Sequence, residues 1–438
     1  MKLSTIMKKG IAIGVVGAMV AGLAACGGND ANNNANNTSA NNESSSSGVT
    51  LKFQQWWGVE MPDGALEELC QGFTDDTGIK IELLSNPYAD TKDQLFNGAS
   101  TGTMADVVGL DGSWVYDFAK QGAIANLTDL MNDAGYDTSQ LGTQVQVDGS
   151  TYMIPVANFP YPMFVNMDIL EKAGVTEIPT TWTEFTEACK AITEKTDAAG
   201  WIIGLNEATP SGIQNCFMSW LWASGGSMLT EDGKPNLTNN EDLTKTTEYV
   251  KSLFDNGYVA EGVASKKESD MVQDFINGRV AFMFDSLAHC TMIREENPDL
   301  NAQVAKVPVM DGFTGKSGMD VANWGIGISA NTQHQKEAWQ FVEYLLSPEV
   351  NAQLVEIANA FPGNVNAKPD YSKTDELFQQ CYELYQECTP VNEFTGLPTS
   401  EELMKQFNQQ FQLYLDGDTA SAEDMLAATQ AQWETAFQ

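Results

Sequence analysis

The sequence predicts an α/β fold, a mainly parallel sheet with helices on both faces, and three observations point to it. Short strand patterns alternate with amphipathic helical ones from Val49 onward. Hydrophobic residues make up 42% of 438 residues, enough to build real cores in two or three units of roughly 100–200 residues each. No internal repeat replaces this alternation with a solenoid pattern.

Val49-Thr-Leu-Lys-Phe53 alternates apolar and polar residues and ends at Gln54-Gln55-Trp56-Trp57, which predicts a strand. Leu66, Leu69, Cys70 and Phe73 mark a helix closed by Asp76-Thr77-Gly78. Ile79–Leu83 is a second strand, Asp90–Ala99 a helix, Asp106–Asp111 a third strand, and a helix follows around Trp114 and Phe118. In sheets of this kind ligands sit beyond the carboxyl ends of the strands, where Trp56, Trp57 and Asp111 lie. Tyr152–Pro155 and Met163–Val165 open a second set of strands. Helices are expected at Phe185–Ile192, Phe217–Trp222, Leu243–Phe254 and Met271–Ile276, then strands at Val280–Phe284 and Trp324–Ser329. Ala338, Phe341, Val342 and Leu345 line one helix face, and the last sixty residues read as helices only.

Composition narrows the chemistry. With 23 basic against 59 acidic residues, the net charge is −36, which argues against a phosphate-binding surface and hence against nucleic acid. Arg279 and Arg294 are the only arginines, and His289 and His334 the only histidines. Poly-histidine metal centres are excluded, and a Ser-His-Asp or Cys-His device would rest on one of two side chains. Asp416-Gly-Asp418 with Glu423 and Asp424 lacks the glycine and glutamate of a calcium loop, and no phosphate-binding glycine motif occurs, so neither metal nor cofactor is expected.

The N-terminus carries an address. Lys2, Lys8 and Lys9 precede an apolar run from Ile11 to Ala25, too short to span a bilayer. It ends in Leu23-Ala24-Ala25-Cys26-Gly27, which resembles the lipobox of bacterial lipoproteins. That resemblance implies a signal peptide over 1–25, acylation of Cys26, and attachment at the outer face of the cytoplasmic membrane through lipid only. Residues 26–48, nearly all Asn, Ser and Ala after the cysteine, read as a tether unable to bury a core. The other six cysteines form no C-x-x-C pair. Most are expected to be small buried hydrophobes, although export permits disulfides.

The order of the remaining motifs resembles the family 1 extracellular solute-binding proteins of ABC importers, relatives of maltose-binding protein. It is carried by Asp106-Val-Val-Gly-Leu-Asp-Gly-Ser-Trp114, Tyr152-Met-Ile-Pro-Val156, Phe164-Val-Asn-Met-Asp168, Pro179-Thr-Thr-Trp-Thr-Glu-Phe185, Gly278-Arg-Val-Ala-Phe-Met-Phe-Asp285, Asn323-Trp-Gly-Ile-Gly-Ile-Ser329 and Leu346-Ser-Pro-Glu349. The resemblance implies a two-lobed periplasmic-binding-protein-like fold with a hinge and a ligand cleft between lobes. Lobe 1 is expected over 49–157 plus 325–362, and lobe 2 over 158–324 plus 363–438. Crossings are expected near Ala157–Tyr161, Asn323–Ile326 and Phe361–Lys368. It further implies a monomeric, non-enzymatic receptor that captures an oligosaccharide and hands it to ABC permease subunits.

A cleft for a neutral sugar needs flat aromatic faces for the C–H side of the ring, with carboxylates and amides for the hydroxyls. Of the adjacent Trp56 and Trp57, one is expected to face the cleft, and Trp57 is favoured. Asp111, at a strand end, is a ligand candidate whose rival role is to cap the helix that follows. By the resemblance, Glu60 lies in a ligand-contacting loop, and Asn158, Phe159 and Tyr161 lie on the first crossing. Asp285 ends a strand that commonly reaches ligand, and Asn323-Trp324 stands where relatives present a tryptophan. Phe361 and Asn364 sit on the third crossing. Trp220 and Trp222 cannot share a helix face, and Trp222 is the one retained. The family often has Gly-Pro-Trp after the position of Asp285, whereas this chain has Ser286-Leu287-Ala288-His289, so one aromatic platform is missing. Two rival readings remain: a surface glycosidase or lyase with the same aromatic and acidic residues, and an adhesion scaffold that binds no small molecule.

Overall fold

A computed structural model describes residues 48–437. The signal peptide, Cys26 and the tether expected before Val49 lie outside these residues. Twelve strands are formed: β1 Thr50–Gln55, β2 Lys80–Ser85, β3 Val107–Leu110, β4 Val145–Val147, β5 Ser150–Pro160, β6 Met163–Asn166, β7 Ala199–Ile202, β8 Val280–Phe284, β9 Ala302–Ala305, β10 Gly318–Ile328, β11 Phe361–Pro362 and β12 Thr389–Val391. They make two sheets. The larger runs β11-β5-β10-β3-β1-β2, with β4 paired to β5 and β12 to β10, and the smaller runs β7-β8-β6-β9.

The expected strand and helix alternation is present, but the sheets are mixed rather than mainly parallel. β2-β1-β3, β7-β8 and β10-β12 are parallel, while β5, β6, β10 and β11 make antiparallel pairs. The cause lies in the two eleven-residue strands β5 and β10, which run past one another in opposite directions from one sheet toward the other. The last sixty residues are also not purely helical. β12 adds to the edge that β10 offers once it extends back to Gly318, beyond the expected start at Trp324.

Each sheet has its own apolar core. Phe53 of β1 packs edge-on against Trp57 and Phe341, with ring centroids 5.2 and 5.4 Å away. The helix Ala65–Thr77 buries Leu66, Leu69, Cys70 and Phe73, and Gly78 ends it at φ 75°, a left-handed cap that glycine adopts without strain. Behind the smaller sheet, Trp220 touches Phe185, Trp201 and Phe284 at 4.9–5.5 Å. Trp182 stacks on Tyr249 at 4.2 Å, and Trp339 is likewise buried, both in packing roles as expected. The six described cysteines are buried free thiols.

The three segments expected to form the crossings pair side by side in the larger sheet. Within β11-β5-β10, Asn158 pairs with both Phe361 and Asn323. A bulge at Trp324/Gly325 breaks the β5–β10 register there, bending the ribbon where it leaves the sheet. Gly363 follows β11 so closely that a Cβ would sit 1.9 Å from the Pro155 carbonyl oxygen, so no side chain fits.

Candidate binding cleft

Between the two sheets lies a cleft of about 590 Å³, within the usual range for small-molecule sites. Its aromatic wall comes from the end of β1 and its neighbours. Trp56 meets Tyr88 and Trp114 at 5.2 and 5.6 Å, and Trp324 packs on Phe159 at 5.0 Å. Its polar wall, beside the smaller sheet, carries Gln214, Asn215, Glu268 and Ser286.

Of the residues expected from sequence, Glu60, Asp111, Phe159, Tyr161, Asn323 and Trp324 line this cleft together. Asp111 occupies both of its anticipated positions. Its Oδ1 accepts from the Ser113 amide (2.8 Å) and hydroxyl (2.6 Å), capping a short turn, while Oδ2 accepts from the Tyr88 hydroxyl at 3.2 Å. Burial nonetheless pushes its carboxyl above the ordinary range. Glu60 is exposed at the cleft mouth yet crowded by protein. Desolvation raises its carboxyl to about 7, against a hydrogen bond from the Trp324 side chain and the charge of His289.

The other expected residues are placed elsewhere. The tryptophan that lines the cleft is Trp56, not Trp57. β1 stops at Gln55 and a single helical turn starts at Trp57, so the strand's alternation ends before it can aim that ring outward. Trp57 instead stacks behind Trp324, with centroids 5.5 Å apart and planes 6° apart, as a backing plate. Trp222 is buried and its Nε1 donates to Glu393 at 2.8 Å, a carboxylate that also accepts from the Met228 amide. Phe361 is enclosed by Tyr371, Phe378, Tyr382 and Tyr385, all within 6 Å. Asn364 spends its side chain on the Leu346 carbonyl (2.6 Å), Gln140 (3.1 Å) and the Asn366 amide (2.8 Å). Asn158 stitches the crossings together, donating to the Pro362 carbonyl at 2.9 Å and accepting from Asn323 at 2.7 Å. It borders a smaller hollow of about 230 Å³ rather than the main cleft. Asp285 is fully buried just beneath the polar wall, which Ser286 and Ala288 face in its stead.

Several lining residues went unread in the sequence. Gln214 and Asn215 sit on a π-helical turn, Ile213–Met218, a widened geometry that recurs at functional sites but leaves no clear mark in sequence. Glu268 begins the helix Glu268–Ile276, where an acid looks like ordinary first-turn chemistry. Lys92 and Glu401, 309 residues apart, form an ion pair at the cleft edge.

Comparison with known proteins agrees with this architecture. Residues 58–352 match the model of the bacterial extracellular solute-binding protein family. The diacetylchitobiose binding protein of Streptomyces coelicolor is 25% identical over 360 residues, 80% of each chain. Among solved structures, the GacH receptor of Streptomyces glaucescens, studied unliganded and with acarbose, superposes with a TM-score of 0.71 at 22% identity, covering 88% of this chain and 98% of that one. The cyclic alpha-maltosyl-1,6-maltose binding protein of Arthrobacter globiformis gives 0.75 at 18% identity, covering 89% and 98%. These structures share the two-lobed fold, and the chain belongs to the bacterial extracellular solute-binding protein family.

Proposed function

We propose that this protein is the extracellular receptor of an ABC importer, capturing an oligosaccharide in the cleft and presenting it to the permease. The observation that carries this reading is the cleft's division into an aromatic wall, with Trp56 and Trp324, and a wall of amides and carboxylates. Aromatic faces suit the apolar side of pyranose rings, and the amides and acids suit their hydroxyls. Lys92, the lysine lining the cleft, is already paired with Glu401, so little is offered to an anionic solute. The names of the relatives, which bind oligosaccharides, point the same way.

Ligand contact is assigned to Trp56, Glu60, Asp111, Phe159, Tyr161, Asn323 and Trp324. The lobes would turn about the β11-β5-β10 ribbon, with ligand shifting the population toward a closed form that the permease recognises. In this reading the protein binds without catalysis, acts as a monomer, and is held at the membrane by acylated Cys26. Thermal unfolding against a panel of neutral oligosaccharides tests it. A solute at 100 times its Kd adds about 2.7 kcal/mol to the native state. One sugar series should raise the transition and be recovered uncleaved; silence across the panel, or shortened products, would count against the receptor.

A further inference from the structure

Beneath the polar wall, three side chains from separate segments converge. Glu268 starts a helix, Asp285 follows β8, and His289 ends the turn Leu287–His289. One donor atom from each lies within 4.8 Å of the other two. Asp285 is 0% exposed; its Oδ1 accepts from the Ser286 amide at 2.6 Å and meets His289 Nδ1 at 2.9 Å. Its Oδ2 is buried and makes no well-formed hydrogen bond. A buried carboxylate oxygen without a donor is costly, and Asp285 lies within hydrogen-bond reach of a second carboxyl, Glu268, so the two can share either one proton or a cation.

The charge around the trio is also unbalanced. Asp320, buried and held by the Val321 amide and the Gln214 side chain, adds its field to that of Glu268. Lys266, the lysine beside Glu268, is committed to Asp274 at 2.6 Å. The surroundings hold the donors in place. The Tyr161 hydroxyl donates to Glu268 Oε1 at 3.3 Å, and the Ser286 amide fixes Asp285. Such outer contacts are what orient metal ligands. Glu268, Ser286 and Ala288 line the cleft, so the trio can be reached from it.

We propose that Glu268, Asp285 and His289 form a binding site for a divalent transition metal of the zinc type, set into the polar wall with one coordination position open to the cleft. One imidazole and two carboxylates are a donor set zinc accepts, and bonds of about 2.0–2.1 Å put donors about 3.3 Å apart, so the side chains would readjust by an ångström or so from their present spacing. The cation would satisfy the Asp285 oxygen and neutralise the trio. It would also place a Lewis acid where a hydroxyl or carboxylate of a bound solute can reach it. No local motif marks the site, because Glu268 comes from a different segment than the Asp285-x-x-x-His289 pair.

The test uses chelator-treated full-length protein and no sugar, so its outcome is independent of the receptor reading. Calorimetric titration with ZnCl2 should show one equivalent per chain. Binding should weaken at least tenfold in His289→Ala and in Glu268→Gln, both partly exposed positions, and in Asp285→Asn. Asp148→Asn, on the far surface, should bind as wild type. Thermal melting in chelator checks that each variant folds. Co2+ in place of zinc should give visible absorption bands that vanish in His289→Ala, which scattered surface carboxylates would not produce. Absence of a saturable equivalent, or undiminished affinity in all three site variants, would overturn the site.

Discussion

The two walls of the cleft are built on different physical terms. The aromatic wall is layered: Trp56 and Trp324 face the cleft, and Trp57, Phe53 and Phe341 support them from behind in one continuous apolar stack. The polar wall is the reverse, with Glu268, Gln214, Asn215 and Ser286 at the cleft backed by further buried acids, Asp285 and Asp320. Both walls hold buried polar atoms without a well-formed hydrogen bond, the Trp57 and Trp114 indole nitrogens on the first and oxygens of Asp285 and Asp320 on the second, but only on the second are those atoms carboxylate oxygens. In the proposed receptor, general affinity and rigidity would come from one side, and chemical selectivity from the other.

Substitutions on each wall should therefore fail in different ways. Trp57→Ala removes the backing plate and should cost about 3–5 kcal/mol in denaturant-unfolding free energy, the range for a buried aromatic. Trp56→Ala, which lines the cleft although only 3% exposed, should in addition lower affinity for the cognate sugar by roughly 30-fold, about 2 kcal/mol by calorimetry, an effect Trp57→Ala should not match. If the two variants behaved alike, the distinction between face and backing would fall. Trp222→Phe leaves a small void and removes one of the three hydrogen bonds to the Glu393 carboxylate, which keeps those from Ser227 and Met228, so about 1–3 kcal/mol of stability should be lost with sugar affinity unchanged.

Subtler effects sharpen the picture. Glu60 holds its proton up to about 7, against an ordinary value of 4.5. The folded state therefore binds that proton more tightly than the unfolded chain. This contribution to stability is complete below about pH 4.5 and is lost as pH rises through 7. Melting curves across this window should decline less steeply with pH in Glu60→Gln than in wild type; identical slopes would remove Glu60 from the account. Lys92→Ala breaks the ion pair with Glu401 and should change stability by less than about 1 kcal/mol, the range for a partly exposed pair, with the effect shrinking as salt is added.

Legibility in the sequence followed local physics. β8 was readable because Val280-Ala-Phe-Met-Phe284 is a continuous buried run, and the helix ending at Gly78 because glycine marks its cap. β7, β9 and β12 were not, since Ala-Gly-Trp-Ile, Ala-Gln-Val-Ala and Thr-Pro-Val are too short to show a period and exist through their partners. The cleft followed the same division. Asp111 follows the end of β3, a placement the sequence reveals, and Phe159, Tyr161 and Trp324 were expected from the family resemblance, whereas the choice between Trp56 and Trp57 depended on where β1 breaks into a turn. Phe361 and Asn364 belong to β11 and the segment after it, at the edge of the sheet and away from the cleft. Glu268 and the π-helical Gln214 and Asn215 depend on tertiary placement alone.

The central claim is that an oligosaccharide binds against the aromatic wall. Calorimetric titration of wild type and Trp56→Ala with the sugar series that stabilises the protein tests it most directly. The account predicts one saturable site per chain in wild type and roughly 30-fold weaker binding in the variant, with the sugar recovered intact. Equal affinity in both proteins would place the sugar elsewhere and contradict the claim.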